Sequence, residues 1–184
     1  MSVEKLRSPE AICKWCHVKE ENPKYGGFDI TLQLPIKSKE AKKWMSEIDG
    51  WVEAEVQASG KSVPSEFLPY KEDGDFINFK LKQKASFRGK GGEKRDVSIM
   101  VVDAELNKCN VDIGWGSTVK VSYSPIPYTV NGKSGVTLYF SAVQIIKLVE
   151  YQPEAGGFEK EEGFVSEVVE EAPFEAVATS DADF

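Results

Sequence analysis

The sequence predicts a mainly β protein: a small, five-stranded, partly open barrel with one inserted α-helix, followed by an acidic tail. Short runs of alternating apolar and polar residues recur up to about position 150, separated by turns rich in Gly, Pro and Asn. One stretch, after Ser38, carries apolar residues at spacings of three and four instead. From Tyr151 the composition turns Glu-rich and sustained periodicity stops. Spacing alone does not separate an OB barrel from another small barrel.

A chain of 184 residues, 41% of it hydrophobic, fills one sizeable core and has little left for a second. We therefore divide it into a barrel domain over 1–150 and a disordered tail over 151–184. No stretch approaches the ~20 apolar residues that cross a bilayer. Met1 to Arg7 carries charge but no apolar segment of a secretory signal. Three cysteines suit a reducing cytoplasm better than a disulfide framework.

Ala11 to Val18 reads as a strand, Glu21 to Gly27 as a turn, and Phe28 to Leu34 as a half-buried strand stopped by Pro35. Ser38 caps a helix to about Ser59, whose stripe Ala41, Trp44, Met45, Ile48, Val52 and Val56 packs on the barrel. Gly60 to Tyr70 is a connecting loop. Asp75 to Phe87 is a strong strand, Arg88 to Lys94 a hairpin turn, and Asp96 to Asp103 the returning strand. A loop then carries Trp115 between two glycines. Thr118 to Tyr123 is a strand ending in a proline corner, Ser124 to Tyr128, and Val136 to Val149 is a final strand bulged near Ala142.

Period two sorts the strand around Phe79 into two faces. Phe79, Leu81, Ala85 and Phe87 turn to the core, while Lys80, Lys82, Lys84 and Arg88 turn outward. A row of like charges repels itself, so it makes little sense as a stability device. With Lys90, Lys94 and Arg95, seven bases stand against Glu93 alone over residues 80–95. Such a ridge tracks an anion, and a phosphate backbone is the natural one. The structural alternative is an edge strand guarded by lysines. Single-strand binding also needs flat rings for stacking, and Tyr25, Trp115 and Tyr128 sit in turn or loop positions. Tyr128 has the alternative of a ring folded over the barrel end. Tyr123 shares parity with Val119 and Val121 and belongs in the core.

The formal charge of −7 conceals a split. Residues 151–184 hold ten acids and one base, Lys160, leaving 22 bases against 20 acids in the body. The tail also carries Phe158, Phe164 and Phe174, and ends Asp181-Ala182-Asp183-Phe184. Carboxylates spaced by rings imitate a single strand, so the tail is expected to compete for the protein's own basic groove. A plain solubility tail explains the acids but not the terminal Asp-Ala-Asp-Phe.

Phe79-Lys80-Leu81-Lys82 with Ala85-Ser86-Phe87, Val101-Val102-Asp103, Lys120-Val121-Ser122-Tyr123-Ser124 with Ile126-Pro127-Tyr128, and Ile146 to Glu150 occur in an order that resembles one family. These strings, with Asp29 to Pro35 and the Asp183-Phe184 end, are similar to the single-stranded DNA-binding proteins of short-tailed, T-odd type coliphages and their podovirus relatives. The resemblance implies an OB fold with an inserted helix and work in replication and recombination in the cytoplasm of the infected bacterial host. It also implies a homodimer, and a tail (Asp181, Asp183, Phe184) docking the replicative DNA polymerase and helicase-primase. By position, Lys82, Lys120 and Tyr128 sit at DNA contacts and Lys24 near a basic one. Two departures stand out. Lys84 replaces an expected stacking tyrosine and Ser122 an expected lysine. Separately, the tail is shorter and less acidic.

Other motifs give way to plainer readings. Cys13-Lys14-Trp15-Cys16-His17 matches a haem-attachment pattern but sits on a strand without an export signal. Zinc would require Cys13, Cys16, His17 and the distant Cys109 together. Gly60-Lys61-Ser62 and Gly132-Lys133-Ser134 lack the earlier glycine of a P-loop and are turns. One histidine and scattered acids provide no nucleophile–base pair. Asp73, Asp75, Asp96 and Asp103 could in principle hold a metal for nuclease chemistry, but Asp73-Gly74-Asp75 is more simply a turn. No enzyme, cofactor or metal is expected. The competing readings are a protein-interaction module whose tail captures a partner, and an RNA-binding barrel.

Overall fold

The computed structural model describes residues 5–150, so the predicted tail with Asp181, Asp183 and Phe184 lies outside the described residues. In chain order the elements are β1 (Leu6–Arg7), β2 (Ala11–His17), β3 (Phe28–Pro35), α1 (Lys39–Ser59), β4 (Tyr70–Asp73) and β5 (Phe76–Gln83). There follow β6 (Ser86–Arg88), β7 (Lys94–Asp96), β8 (Met100–Val102), β9 (Thr118–Val130) and β10 (Lys133–Lys147). Strands β2, β3, β5, β10 and β9 pair in that order, and β9 returns to β2. A five-stranded ring of this kind with a helix between its second and third strands is an OB fold. Closure comes from a short parallel pairing of β10 with β5, Leu138 opposite Leu81 and Tyr139 opposite Lys82.

Alternation fills the ring. Ile30, Leu32, Ile77, Phe79, Leu81, Val119, Val121, Tyr123, Leu138 and Phe140 all face inward, each no more than 1% exposed. The β9–β10 hairpin turns on Asn131 and Gly132 with φ of 51° and 77°, the left-handed pair that suits two-residue hairpin turns. A register shift between Phe140 and Ala142 matches the expected bulge.

The helix forms where its cap predicts. Ser38 Oγ accepts from the Ala41 N–H at 3.2 Å, and Gly60 closes the helix in the left-handed region at φ 66°. Ala41, Trp44 and Ile48 are its buried face. Trp44 stacks on Phe79 with ring centroids 4.1 Å apart and donates its indole N–H to the Tyr123 hydroxyl at 2.7 Å. Burial, with a contribution from Glu47, pushes that hydroxyl up to about 12, so it stays protonated at neutral pH. At the other end of the helix, the buried Ser134 of β10 donates to Glu55 at 3.1 Å and bonds Ser59 at 3.1 Å.

Four expectations need correction. The strand expected over Asp75 to Phe87 leaves the barrel at Gln83, whose side chain donates to the Phe140 carbonyl and accepts from the Lys84 N–H. Beyond that point period two no longer reports on the barrel. Phe87, expected in the core, is 49% exposed in a separate two-stranded sheet, and Arg88 goes with it. The return over Asp96 to Asp103 divides into β7 and the three residues of β8, which run parallel to β10. The proline corner is continuous strand. Among the described residues only β1 and β2 flank β9 on its far side, and their pairing stops at Tyr123, so Pro125 and Pro127 fall on an edge where strands tolerate proline. Finally, Tyr70 belongs not to a loop but to β4, which pairs with β5.

The Trp44–Tyr123 bond yields a stability prediction. Tyr123→Phe leaves a buried indole N–H without its acceptor and should lower unfolding free energy by about 1–3 kcal/mol in urea titration, with the slope unchanged. A loss below about 0.5 kcal/mol would show that the bond is not a net contributor.

Candidate nucleic-acid interface

Outside the ring, the same registers that bury the core line up polar and aromatic side chains. One row crosses four strands: His17 on β2, Asp29 on β3, Lys82 on β5 and Tyr139 on β10. The neighbouring row holds Trp15, Thr31 and Lys80. Above the β3–β5–β10 part of this face the turn before β3 folds over to make a groove of about 260 Å³, lined by Tyr25, Lys80, Lys82, Lys84 and Tyr139.

The turn is held by its own polar groups. Asn22 Oδ1 accepts from the Lys24 N–H, its side-chain amide donates to Asp29, and its backbone bonds both ways with Gly26 and Gly27. Gly27, at φ 83°, passes so close to the end of β5 that an added Cβ would lie 2.6 Å from the Gln83 carbonyl oxygen. This close approach brings Tyr25 over the lysine ridge with its ring 69% exposed. Two ammonium groups lie over that ring, Lys24 Nζ at 5.2 Å and Lys80 Nζ at 5.5 Å from its centroid.

The electrostatics of the groove are one-sided. Among the described residues Lys24, Lys80, Lys82 and Lys84 make no ion pair, whereas Lys14, Lys19, Lys94, Arg95, Lys120 and Lys133 all do. Asp29, the carboxylate nearest Lys82 in register, is taken by His17 at 3.0 Å and Asn22 at 2.9 Å. Unneutralised cations beside exposed rings can hold an anion and stack a flat group at once.

Thus Lys24, Tyr25, Lys80, Lys82 and Lys84, all expected from the sequence, are gathered at one place. Tyr139 joins them unanticipated. Its strand is long and apolar, and only the parallel register with β5 reveals which side the ring takes. Tyr128 lies further along the β9–β10 face, half-buried, packed on Phe67 with centroids 5.7 Å apart. Its ring covers Gly135, where a Cβ would meet it at 2.6 Å. Burial, and secondarily the neighbouring Tyr139, raises its hydroxyl above the ordinary tyrosine range. Lys120 lies on β9 opposite Gln144, in an ion pair with Glu10 at 3.8 Å, and Trp115 lines a different groove.

The cysteine motif is divided by the barrel wall. Cys13 is fully buried and Cys16 packs against the core, while His17 faces Asp29 outside. The Cys16 thiol is pushed well up by its hydrogen bond with Cys13 and then by burial. Among the described residues no three His, Cys, Asp or Glu side chains cluster as metal ligands. Asp73 is occupied by Lys14 at 2.8 Å, and Asp103 by Asn107 and Glu105, so each organises local structure.

Residues 41–148 match a family described as the single-stranded DNA-binding protein of bacteriophage T7. The chain belongs to this family. Among curated relatives, the single-stranded DNA-binding protein of Enterobacteria phage T3 is 35% identical over 98 residues, 51% of this chain and 42% of the relative. That of Escherichia phage T7 is 29% identical over 152 residues, 71% of this chain and 65% of the relative. The chain thus spans less than two thirds of the length of each. Among solved structures, T7 gp2.5, a single-stranded DNA-binding protein, superposes with a TM-score of 0.74 at 22% identity, covering 90% of this chain and all of that one. The single-stranded DNA-binding protein of bacteriophage Enc34, solved in complex with single-stranded DNA, gives 0.61 at 14% identity, covering 79% and 88%. Both likenesses are likenesses of fold. None of the described helices is long and apolar enough to cross a membrane.

The groove depends on Gly27 and hardly on its neighbour. Gly27→Ala combines left-handed strain with a backbone collision and should cost about 2 kcal/mol or more in chemical denaturation. Gly26→Ala, whose Cβ would meet only the Glu21 side chain at 3.9 Å, should cost about 1 kcal/mol from strain alone. Equal costs would mean that the turn does not depend on its approach to β5.

Proposed function

We propose that the chain is a non-enzymatic single-stranded DNA-binding protein of phage replication and recombination, and that the strand crosses the exterior of β3, β5 and β10. Phosphates lie along Lys80, Lys82 and Lys84, and bases stack on Tyr25 and Tyr139. Lys24 adds charge at the turn, and Arg88, Lys120 and Tyr128 extend the contact beyond the groove. Membership of the family supports this reading, as does the Enc34 relative solved with a single strand. The observation that carries it is the exposed Tyr25 ring with two ammonium groups over it, beside lysines that make no ion pair among the described residues.

In the same reading residues 151–184 form an acidic tail that competes for the groove and, through Asp181, Asp183 and Phe184, docks the replicative polymerase and helicase-primase. The protein works as a homodimer in the cytoplasm of the infected host, with the barrel over 1–150 as its DNA-binding domain.

Fluorescence anisotropy of the full chain with oligo-dT at several salt concentrations tests the groove. Tight binding over duplex DNA is expected, weakening linearly on a log–log salt plot. Lys80→Ala and Lys82→Ala should each weaken binding and reduce the steepness of that plot by about 0.7. Tyr25→Ala and Tyr139→Ala should each cost about 1–3 kcal/mol and leave the slope unchanged. Equal affinity for poly-U would widen the substrate to RNA. Failure of the full chain to bind any single strand at low salt would refute the proposal.

A further inference from the structure

Trp15 and Trp115 are 63% and 68% exposed, an unusual disposition for two large rings. Among the described residues neither has an aromatic partner, and both line a second groove of about 530 Å³ between β2 and the loop before β9. We propose that this groove continues the path of a bound single strand, Trp15 and Trp115 each stacking a base beyond those held at Tyr25 and Tyr139. The inference rests on the proposed single-strand function.

Its first support is how Trp15 comes to face outward. Simple alternation would put Cys13 and Trp15 on one side of β2. The register shifts between them, leaving Lys14 as the extra residue. Cys13 and Cys16 therefore both pack inward, opposite Leu32 and Ile30, and Trp15 turns to the exterior opposite Thr31. Bulges that re-aim a side chain are frequent at functional surfaces.

The second support is that Trp115 is held in place. Gly116 N–H donates to the Cys13 carbonyl at 2.9 Å, and Cys13 N–H donates to the Ser117 carbonyl at 2.8 Å. Gly114 N–H reaches the Val149 carbonyl at 2.8 Å. The loop carrying one tryptophan is thus stapled to the strand carrying the other. Their spacing is set before any ligand arrives, which lowers the ordering cost of binding.

The third support is continuity. Trp15, Thr31 and Lys80 lie in one row on β2, β3 and β5, so Trp15 is two strand spacings, about 10 Å, from the lysine ridge. His17 lines the second groove and meets, at 3.0 Å, Asp29, which lines the first, making a shared wall.

The charges differ between the two grooves. Lys14 is bound to Asp73 at 2.8 Å and Lys19 to Asp112 at 3.2 Å, so the cations here are already neutralised. The second groove is a stacking site with little pull on phosphate. Its contribution to binding should therefore be insensitive to salt, unlike that of the lysine ridge.

The test uses the full chain and its Trp15→Ala, Trp115→Ala and doubly substituted variants. Each is titrated with oligo-dT of about 4 and about 16 nucleotides, the limits of an OB-fold footprint. On the long oligonucleotide each substitution should weaken binding about tenfold with the salt slope unchanged. On the short one, held at Tyr25 and the lysines, affinity should match that of the unsubstituted chain. In the unsubstituted chain the long oligonucleotide, and not the short one, should shield tryptophan emission from acrylamide, a readout independent of any variant's folding. Unsubstituted affinity in all variants at the longer length, or unshielded emission, would overturn the inference while leaving the first groove intact. If the unsubstituted chain binds neither length, both proposals fall together.

Discussion

Strand β10 must pair along its length with β9 in a long antiparallel hairpin while it also meets β5, and further along β8, through short parallel contacts. The pairing with both β9 and β5 closes the ring, and closure forces every barrel residue to choose inside or outside. Leu81 and Leu138 meet in the core, so Lys82 and Tyr139 are compelled to meet on the surface. A slip of one residue would exchange the two sets and bury a lysine against Phe79. The interior therefore enforces the exterior, and the groove is held as firmly as the hydrophobic core behind it.

Closure by itself makes only a flat wall. The shape comes from places where the alternation is broken deliberately. Gly27 lets the β2–β3 turn press onto the end of β5 and hang Tyr25 above the ridge. The bulge after Cys13 turns Trp15 outward, and that after Phe140 carries β10 past β9 without losing the inward Val143 and Ile145. The first two breaks each place an exposed aromatic ring, Tyr25 and Trp15, and the third falls just after the half-buried Tyr139. Among the described residues the lysines at the centre of this surface make no ion pair while Lys14, Lys19 and Lys120 around it do, so attraction for an anion is focused where the rings are.

Much of this was legible in the chain. Ser38 announces the helix because a hydroxyl before a three–four apolar stripe satisfies its orphan N–H groups. Lys80 and Lys82 declare their face because Phe79 and Leu81 must be buried between them. Tyr123 follows from its parity with Val119 and Val121. The rest depends on partners distant in sequence. Tyr139 looks like core until its register with Lys82 is known, and Trp15 is misplaced by any alternation that ignores the bulge. Alternation places Phe87 in the core because nothing local signals that Gln83 ends the strand by bonding across to Phe140. Pro125 and Pro127 resemble a corner because their tolerance depends on an edge that only the topology reveals.

The central claim is that a single strand lies across β3, β5 and β10 with its bases on Tyr25 and Tyr139. Photocross-linking of the full chain to an iodouracil-substituted oligonucleotide, with the adducts mapped by mass spectrometry, addresses it most directly. The account predicts adducts on the peptides containing Tyr25 and Tyr139. Adducts confined to the helix or to the β6–β7 hairpin, with binding intact, would contradict it.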